Sequence, residues 1–274
     1  MVQFFKNNLE NFKVLLIHSG HFHLDELLVA AQVVVFGGRS PKSFEIVRTR
    51  DEDLIHSFRE EGDVIIADVG MEYDGVSEFD HHQNKDMPAA CALFWKSLKE
   101  AFNLEAYKKV ERLINEASAA DTGKQMPAEF ALGNLILSFN LMEEEKGFEA
   151  ALKMVIQVLE TIKLEDEEAI KAEQLAKEAK ELFEGRALEL QEFTPAWKKA
   201  INGEKTPGVE HVIWYDKQQD RHLVQVVPAA EDTFKFHGRP LKKNNTAHFV
   251  HDAKFLAVFN KRIELIQYLE SLYS

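Results

Sequence analysis

Apolar residues in the first part of the chain fall into short continuous runs separated by helix-length amphipathic stretches. Lys13–Ile17 (KVLLI) predicts a strand that ends at His18, and a helical pattern starts near Asp25 (DELLVAAQVVVF). Phe44–Val47 predicts a second strand and Asp63–Ala67 (DVIIA) a third. The runs do not alternate with polar residues, which is the pattern of parallel strands buried on two faces. Helical periodicity follows over Ala89–Lys99, Leu104–Ala120, Phe130–Phe139 and Gly147–Ile162. Glu165–Glu184 is acidic, lysine-interleaved and free of Gly and Pro until Gly185, which predicts a long solvated helix.

The pattern changes after Gly185. Pro195, Pro207, Pro228 and Pro240 punctuate short β-like runs at His211–Tyr215, His222–Val227 and His248–His251, and Ile263–Leu272 reads as a closing helix. The first two runs flank Asp216–Asp220 as a hairpin. The expected architecture is α/β. A mainly parallel sheet with flanking helices occupies 1–185, and a smaller C-terminal α+β domain occupies 186–274.

Composition narrows the class. With 45% hydrophobic and 29% charged residues the chain reads as globular, and no apolar run approaches the ~18 residues of a membrane span. The first residues lack the basic and apolar blocks of a secretory signal. Cys91 is the only cysteine, which rules out an internal disulfide and a thiolate zinc cluster. A cytoplasmic location is the expectation. The net charge of −13 argues against nucleic-acid binding through a general basic field. Residues 1–185 carry 20 Lys and Arg against 35 Asp and Glu, whereas 186–274 carry 13 against 11. A polyanionic substrate would be met by bound cations and by the C-terminal segment.

Three features carry chemistry. His18-Ser-Gly-His-Phe-His23-Leu-Asp25-Glu26 places three imidazoles and two carboxylates at a strand-to-helix turn. Asp68 follows the run DVIIA, and Asp80-His81-His82 lies in a polar loop shortly after. Taken singly, each has a structural role open to it: a strand-end histidine in packing, an aspartate in a cap or turn. Their occurrence in order, at the carboxyl ends of predicted strands where open α/β sheets bind ligands, points to a metal site. Carboxylate and imidazole without thiolate suit Mn²⁺, Mg²⁺, Fe²⁺ or Zn²⁺. A carboxylate shared by two cations ~3.5–4 Å apart would serve an in-line phosphoryl displacement.

The same motifs resemble the DHH phosphoesterase superfamily, which includes RecJ-type exonucleases, nanoRNases and family II inorganic pyrophosphatases. The form His18-x-Gly-x-Phe-His-x-Asp-Glu26, with Arg48-Thr-Arg50, Asp68-Val-Gly-x-x-Tyr73 and Phe79-Asp-His-His-Gln83, is similar to the Myg family of metal-dependent hydrolases. Ala120-Asp-Thr-Gly123 resembles that family's fourth motif, and Leu188–Pro195, Val224–Pro228 and Phe249–His251 extend the similarity.

The resemblance implies His18, His23, Asp25, Asp68, His81 and Asp121 as ligands of two divalent cations, with Asp68 bridging them. It implies that His82 faces a substrate phosphoryl oxygen and that Asp80 orients the neighbouring histidines. Glu26 would play a similar supporting part, and His21 none. It further implies phosphodiester hydrolysis, as an exonuclease or phosphodiesterase acting on RNA or a short oligonucleotide. A small nucleotide or pyrophosphate is the alternative substrate, and a metal-stabilised binding protein without turnover the alternative function. Imidazole at position 23 favours Mn²⁺, with Fe²⁺ or Zn²⁺ next, over Mg²⁺. The family's C-terminal glycine-rich stretch is replaced by Phe255-Leu-Ala-Val-Phe-Asn260. Arg239, Lys242, Lys243 and His251 are the remaining candidates to contact an anion.

Overall fold

A computed structural model describes residues 1–274, which fall into two compact units, Met1–Asp166 and Glu167–Ser274. In the first, strands β1 (Val14–Ile17), β2 (Glu45–Arg48), β3 (Val64–Ala67) and β4 (Glu78–Phe79) form one sheet in the order β2-β1-β3-β4, parallel throughout. The expected α/β class with a parallel sheet is what the chain adopts.

Side chains of the central strands alternate between two cores, as the two-residue period of a strand requires. Leu15, Ile17, Ile65 and Ala67 enter the main core with α1 (Val2–Asn11), α2 (Leu24–Val35), α4 (Ala90–Phe102) and α5 (Lys108–Asp121). Leu16, Val64 and Ile66 turn the other way, onto Ile55 and Phe58 of α3 (Glu52–Glu61). Both faces are therefore covered, which is why the strands read as unbroken apolar runs. Helix α3 is capped by Asp51, whose carboxylate accepts from the backbone N–H groups of Asp53 and Leu54, and it stops at Gly62 in a left-handed conformation.

The short helix α6 (Leu132–Ser138) precedes α7, which runs unbroken from Glu144 to Lys177 and passes from one unit into the other. Its ordering near the division is local to the first unit: the Asp166 carboxylate accepts from the backbone N–H groups of Lys109 and Val110 at the start of α5. The helical pattern over Glu165–Glu184 is thus realised only to Lys177. Lys180–Leu182 instead forms β5, joined to β6 (Ala187–Glu189) by a hairpin in which Phe183, Glu184 and Gly185 have positive φ. Cross-strand pairing with β6 outweighs the helical preference of those few residues.

The second unit is built on a six-stranded mixed sheet of order β5-β6-β7-β8-β10-β9. The hairpin expected around Asp216–Asp220 is β7 (His211–Asp216) with β8 (Arg221–Val226). Phe249–Val250 is β9, and the glycine-free Leu256–Phe259 is β10, an interior strand whose Ala257 and Phe259 are fully buried under α9 (Arg262–Tyr273). Interior packing therefore accounts for the residues that stand in place of glycines. No helix of the chain is long and apolar enough to cross a membrane.

Candidate metal centre

The carboxyl ends of β1, β3 and β4 converge with the N-terminus of α2 and the C-terminus of α5. His18 follows β1, Asp68 follows β3, and Asp80, His81 and His82 follow β4. His23 is the N-cap of α2, Asp25 and Glu26 lie in its first turn, and Asp121 is the last residue of α5. Two acidic residues in the first turn of a helix are favoured by the exposed N–H groups and partial positive charge there.

Asp68 sits in the middle. Its Oδ2 lies 3.2 Å from His18 Nε2, and its Oδ1 lies 3.3 Å from His81 Nε2 and 3.7 Å from His82 Nδ1. Three groups of possible ligand atoms, each within 4.8 Å of one another, result: His18, His23, Glu26 and Asp68; Asp68, Asp80, His81 and His82; and Asp25, His81 and Asp121. Asp68 is common to the first two, and His81 to the last two. Glu26, to which the sequence assigned only support, stands in the first group, with its Oε1 3.2 Å from His18 Nε2.

The backbone at Asp68 has φ of 58°, a left-handed conformation uncommon outside glycine. It costs on the order of 1–3 kcal/mol and turns the carboxylate out of the strand direction. Val69 then enters the core under α3, and Gly70 continues with φ of 99°. A Cβ at Gly70 would lie 2.6 Å from Arg59 Nη2, which donates to the Gly70 carbonyl at 2.6 Å while Arg59 Nε holds Glu78 at 2.7 Å. The Asp-Val-Gly motif is therefore a strained turn clamped by one arginine. Sequence reading of the motif does not disclose Arg59.

The ligands are oriented by a second set of contacts. His18 Nδ1 pairs with the Ser19 carbonyl at 3.1 Å, which makes Nδ1 the donor and turns the Nε2 lone pair toward Asp68 and Glu26 in the neutral ring. Asp80 Oδ1 accepts from the backbone N–H groups of His81 and His82 and from His82 Nδ1 at 2.7 Å, while Oδ2 accepts from the backbone N–H of Met71. Each oxygen of Asp25 accepts a backbone N–H at the start of α4, from Ala90 at 3.0 Å and Cys91 at 2.8 Å, and keeps a lone pair for another partner.

Arg50 donates to the Ser19 carbonyl, and Arg48 to the Gly20 carbonyl and to Glu144, so the loop after β1 is held from β2 and its end. The Asn140 amide both donates to and accepts from the Phe22 backbone. Asn140 carries no motif, and its role was invisible in the sequence.

His21 is exposed. Arg239 and His251 belong to the second unit. The Arg239 guanidinium is engaged by Glu210 at 2.9 Å and by the Leu272 carbonyl. His251 accepts the Ala253 N–H at Nδ1 and packs on Phe255.

Electrostatics show what the cluster lacks. Burial pushes the Asp25 carboxyl well above the usual range, and the charges of Asp68 and Asp121 add to it. Burial would lower His18, but Asp68 and Glu26 prevail and raise it to about 10. His81 is raised to about 10 by Asp121 and Asp68 against burial. Burial would raise Asp68, and the close approach of the His18 and His81 imidazoles holds it at about 2 instead.

Protonated imidazoles therefore balance the carboxylates only in part. His18 Nε2, His81 Nε2, Asp68 Oδ1 and Glu26 Oε2 are buried and aligned with no hydrogen-bond partner, although each histidine nitrogen has a carboxylate oxygen within 3.3 Å. Buried polar atoms are almost always paired. Unpaired carboxylate oxygens, and imidazole nitrogens that would give up their protons to a cation, converge on common points and fit a metal ion. The buried His, Asp and Glu groups have the donor set to bind metal.

Residues 14–91 match the family model MYG1_exonuc, described as an uncharacterised protein family (UPF0160), whose name points to a nuclease-type hydrolase. The MYG1 protein of Schizosaccharomyces pombe is 38% identical over 80 residues, which make up 28% of this chain and 22% of that protein. The match thus spans about a fifth of the relative's length. The family-model match over residues 14–91 contains every residue of the three ligand groups except Asp121. Over residues 14–91, which carry all of the centre but Asp121, the chain is similar to the Myg family.

Proposed function

We propose that the first unit is a two-metal phosphoester hydrolase of the DHH type, acting on a phosphodiester of RNA or a short oligonucleotide. The observation that carries this reading is Asp68, whose two oxygens face separate groups of ligands, His18 on one side and His81 on the other. His18, His23, Glu26 and Asp68 would hold one cation. Asp68, His81, Asp121 and Asp25 would hold the second. Mn²⁺ suits the mixed imidazole and carboxylate set. When bound, the pair would supply Lewis-acid polarisation of a phosphoryl oxygen and make water nucleophilic at neutral pH.

The chain's own residues do the rest. His82 is the most exposed of the cluster histidines that follow β4, with half of its side chain open to solvent. Asp80 accepts from its Nδ1 and so fixes the ring, leaving Nε2 to hold a proton for a phosphoryl or leaving-group oxygen. Asp80 also ties the backbone of His81, so the two histidines cannot reorient independently. The strained Asp68 turn and its Arg59 clamp set the carboxylate before substrate arrives, which lowers the reorganisation needed during reaction.

The test is a screen of the pure chain with Mn²⁺ against 5′-labelled RNA, dinucleotides, pyrophosphate and an aryl phosphodiester. Release of nucleotides from RNA or dinucleotides supports the reading. Turnover of pyrophosphate alone moves the function to phosphoanhydrides. Metal uptake with no turnover of any of them makes the chain a metal-stabilised binding protein.

A further inference from the structure

Next to the cluster a cavity of about 410 Å³ opens between the first turn of α2, α5 and the start of α6. Its walls are largely aliphatic, from Leu24, Leu113, Ala117, Leu132 and Leu137. His23, Asp25 and Asp121 line it as well, so the cavity and the ligand groups share side chains. No lysine or arginine lines it, and its remaining charged group is the Glu116 carboxylate. Two primary amides complete the lining, Gln125 and Asn134. Asn134 donates Nδ2 to the Ala128 carbonyl at 2.8 Å, which leaves its carbonyl oxygen as an acceptor.

Such a cavity repels a second phosphate and accepts a neutral group with apolar faces and a hydrogen-bonding edge. Its volume lies near the lower end of the roughly 300–1,000 Å³ of small-molecule pockets, enough for one nucleoside and too small for two. We propose that it receives the terminal nucleoside of the substrate, base and sugar, while the adjoining phosphate meets the metal ligands. The proposal rests on the phosphoesterase reading of the cluster. It gives the Gln125 amide and the Asn134 carbonyl the edge of the base to read.

Gly133 provides the test, because a Cβ built there meets only Leu24 Cδ2, at 4.0 Å, and its backbone is not left-handed. Gly133→Leu fills the cavity without straining the turn, and Gly133→Ala adds one methyl group as a control. Ala131→Leu, which fills the same space from the N-cap of α6, is the second variant should Gly133→Leu fold poorly.

Ligand-observed NMR on the full chain in Mn²⁺-free buffer is run with adenosine and uridine, and with ribose 5-phosphate as the probe that lacks a base. The nucleosides are expected to bind wild type and Gly133→Ala, and to lose at least tenfold in affinity with Gly133→Leu or Ala131→Leu at unchanged melting temperature. Ribose 5-phosphate should bind more weakly than either nucleoside. Absence of nucleoside binding to wild type, or unchanged affinity in both filled variants, overturns the proposal. Nucleosides carry no scissile bond, so this result is independent of turnover. Nucleoside binding without hydrolysis of any phosphodiester would reject the enzymatic reading and leave the cavity assignment standing. Hydrolysis without nucleoside binding would do the reverse.

Discussion

His18 Nε2 lies 3.2 Å from Asp68 Oδ2 at the carboxyl ends of the paired parallel strands β1 and β3, both side chains almost wholly buried. The contact lacks the alignment of a hydrogen bond, and the histidine nitrogen remains without a partner. Two adjacent strands thus deliver an imidazole nitrogen and a carboxylate to one point. The other oxygen of Asp68 does the same with His81.

Asp68→Asn tests that centre. The amide removes the charge and one of the two ligating oxygens, so bound metal should fall sharply and turnover by orders of magnitude. Without metal, the carboxylate is not merely a repulsive charge: its acidity is held at about 2 largely through His18 and His81. A group with a depressed folded pKa contributes stability above its unfolded value, so at pH 7 the metal-free variant should be less stable by about 1–3 kcal/mol. Asparagine tolerates the left-handed backbone, which confines the loss to charge. Elemental analysis and chelator-treated urea melts check it. Full metal occupancy in the variant would remove Asp68 from the shared position.

His82→Ala should separate binding of metal from chemistry. Its ring is half exposed and held by Asp80, and its loss opens no buried cavity. Metal content and melting temperature should stay close to wild type while turnover of the phosphoester found in the screen falls about 100-fold or more, the range of a lost general acid or base. Loss of metal together with activity would instead make His82 a ligand.

Chelation should destabilise the protein, because cations that bind only the folded cluster add to its stability by mass action. At a free Mn²⁺ concentration about 100 times the dissociation constant, each site contributes about 2.7 kcal/mol. Calorimetry with EDTA and after Mn²⁺ is restored should show the melting temperature fall and return. An unchanged melting temperature, with no metal retained after dialysis against Mn²⁺, would contradict the metal-centre reading.

The second unit has its own pH sensitivity at His211. This fully buried ring pairs with the Tyr273 hydroxyl at 2.7 Å and the Arg239 carbonyl at 3.0 Å, and burial pushes its pKa down to about 4. The unfolded state therefore binds the proton first as pH falls. Stability from this group is complete above about 6.5 and is lost progressively between about 6.5 and 4, on the order of 3 kcal/mol in all. Many carboxylates titrate in the same range, so the readout is the difference between wild type and His211→Gln in urea unfolding from pH 7.5 to 4.5. The gap should narrow as pH falls. A constant gap would mean that His211 does not titrate in that window.

The sequence by itself determined the buried parallel strands, the hairpin of β7 and β8, the closing helix and the motifs that hold most of the centre. These are local properties: a run of apolar residues sets a strand, and a histidine or aspartate just past its end is carried to the sheet's carboxyl edge whatever the rest of the chain does. Only the tertiary structure decided which oxygen of Asp68 faces His18 and which faces His81. It brought Glu26 into the first ligand group, set Asp121 at the end of α5 beside His81, and anchored both oxygens of Asp25 on the start of α4. It also recruited Arg59, Arg48 and Asn140 to hold the loops, and it ended the long helix at Lys177 where β6 offered β5 a partner. Each of these depends on atoms from distant parts of the chain meeting at distances of about 3 Å. Periodicity carries no record of such meetings, because packing and hydrogen bonding between elements fix them only after the elements have formed.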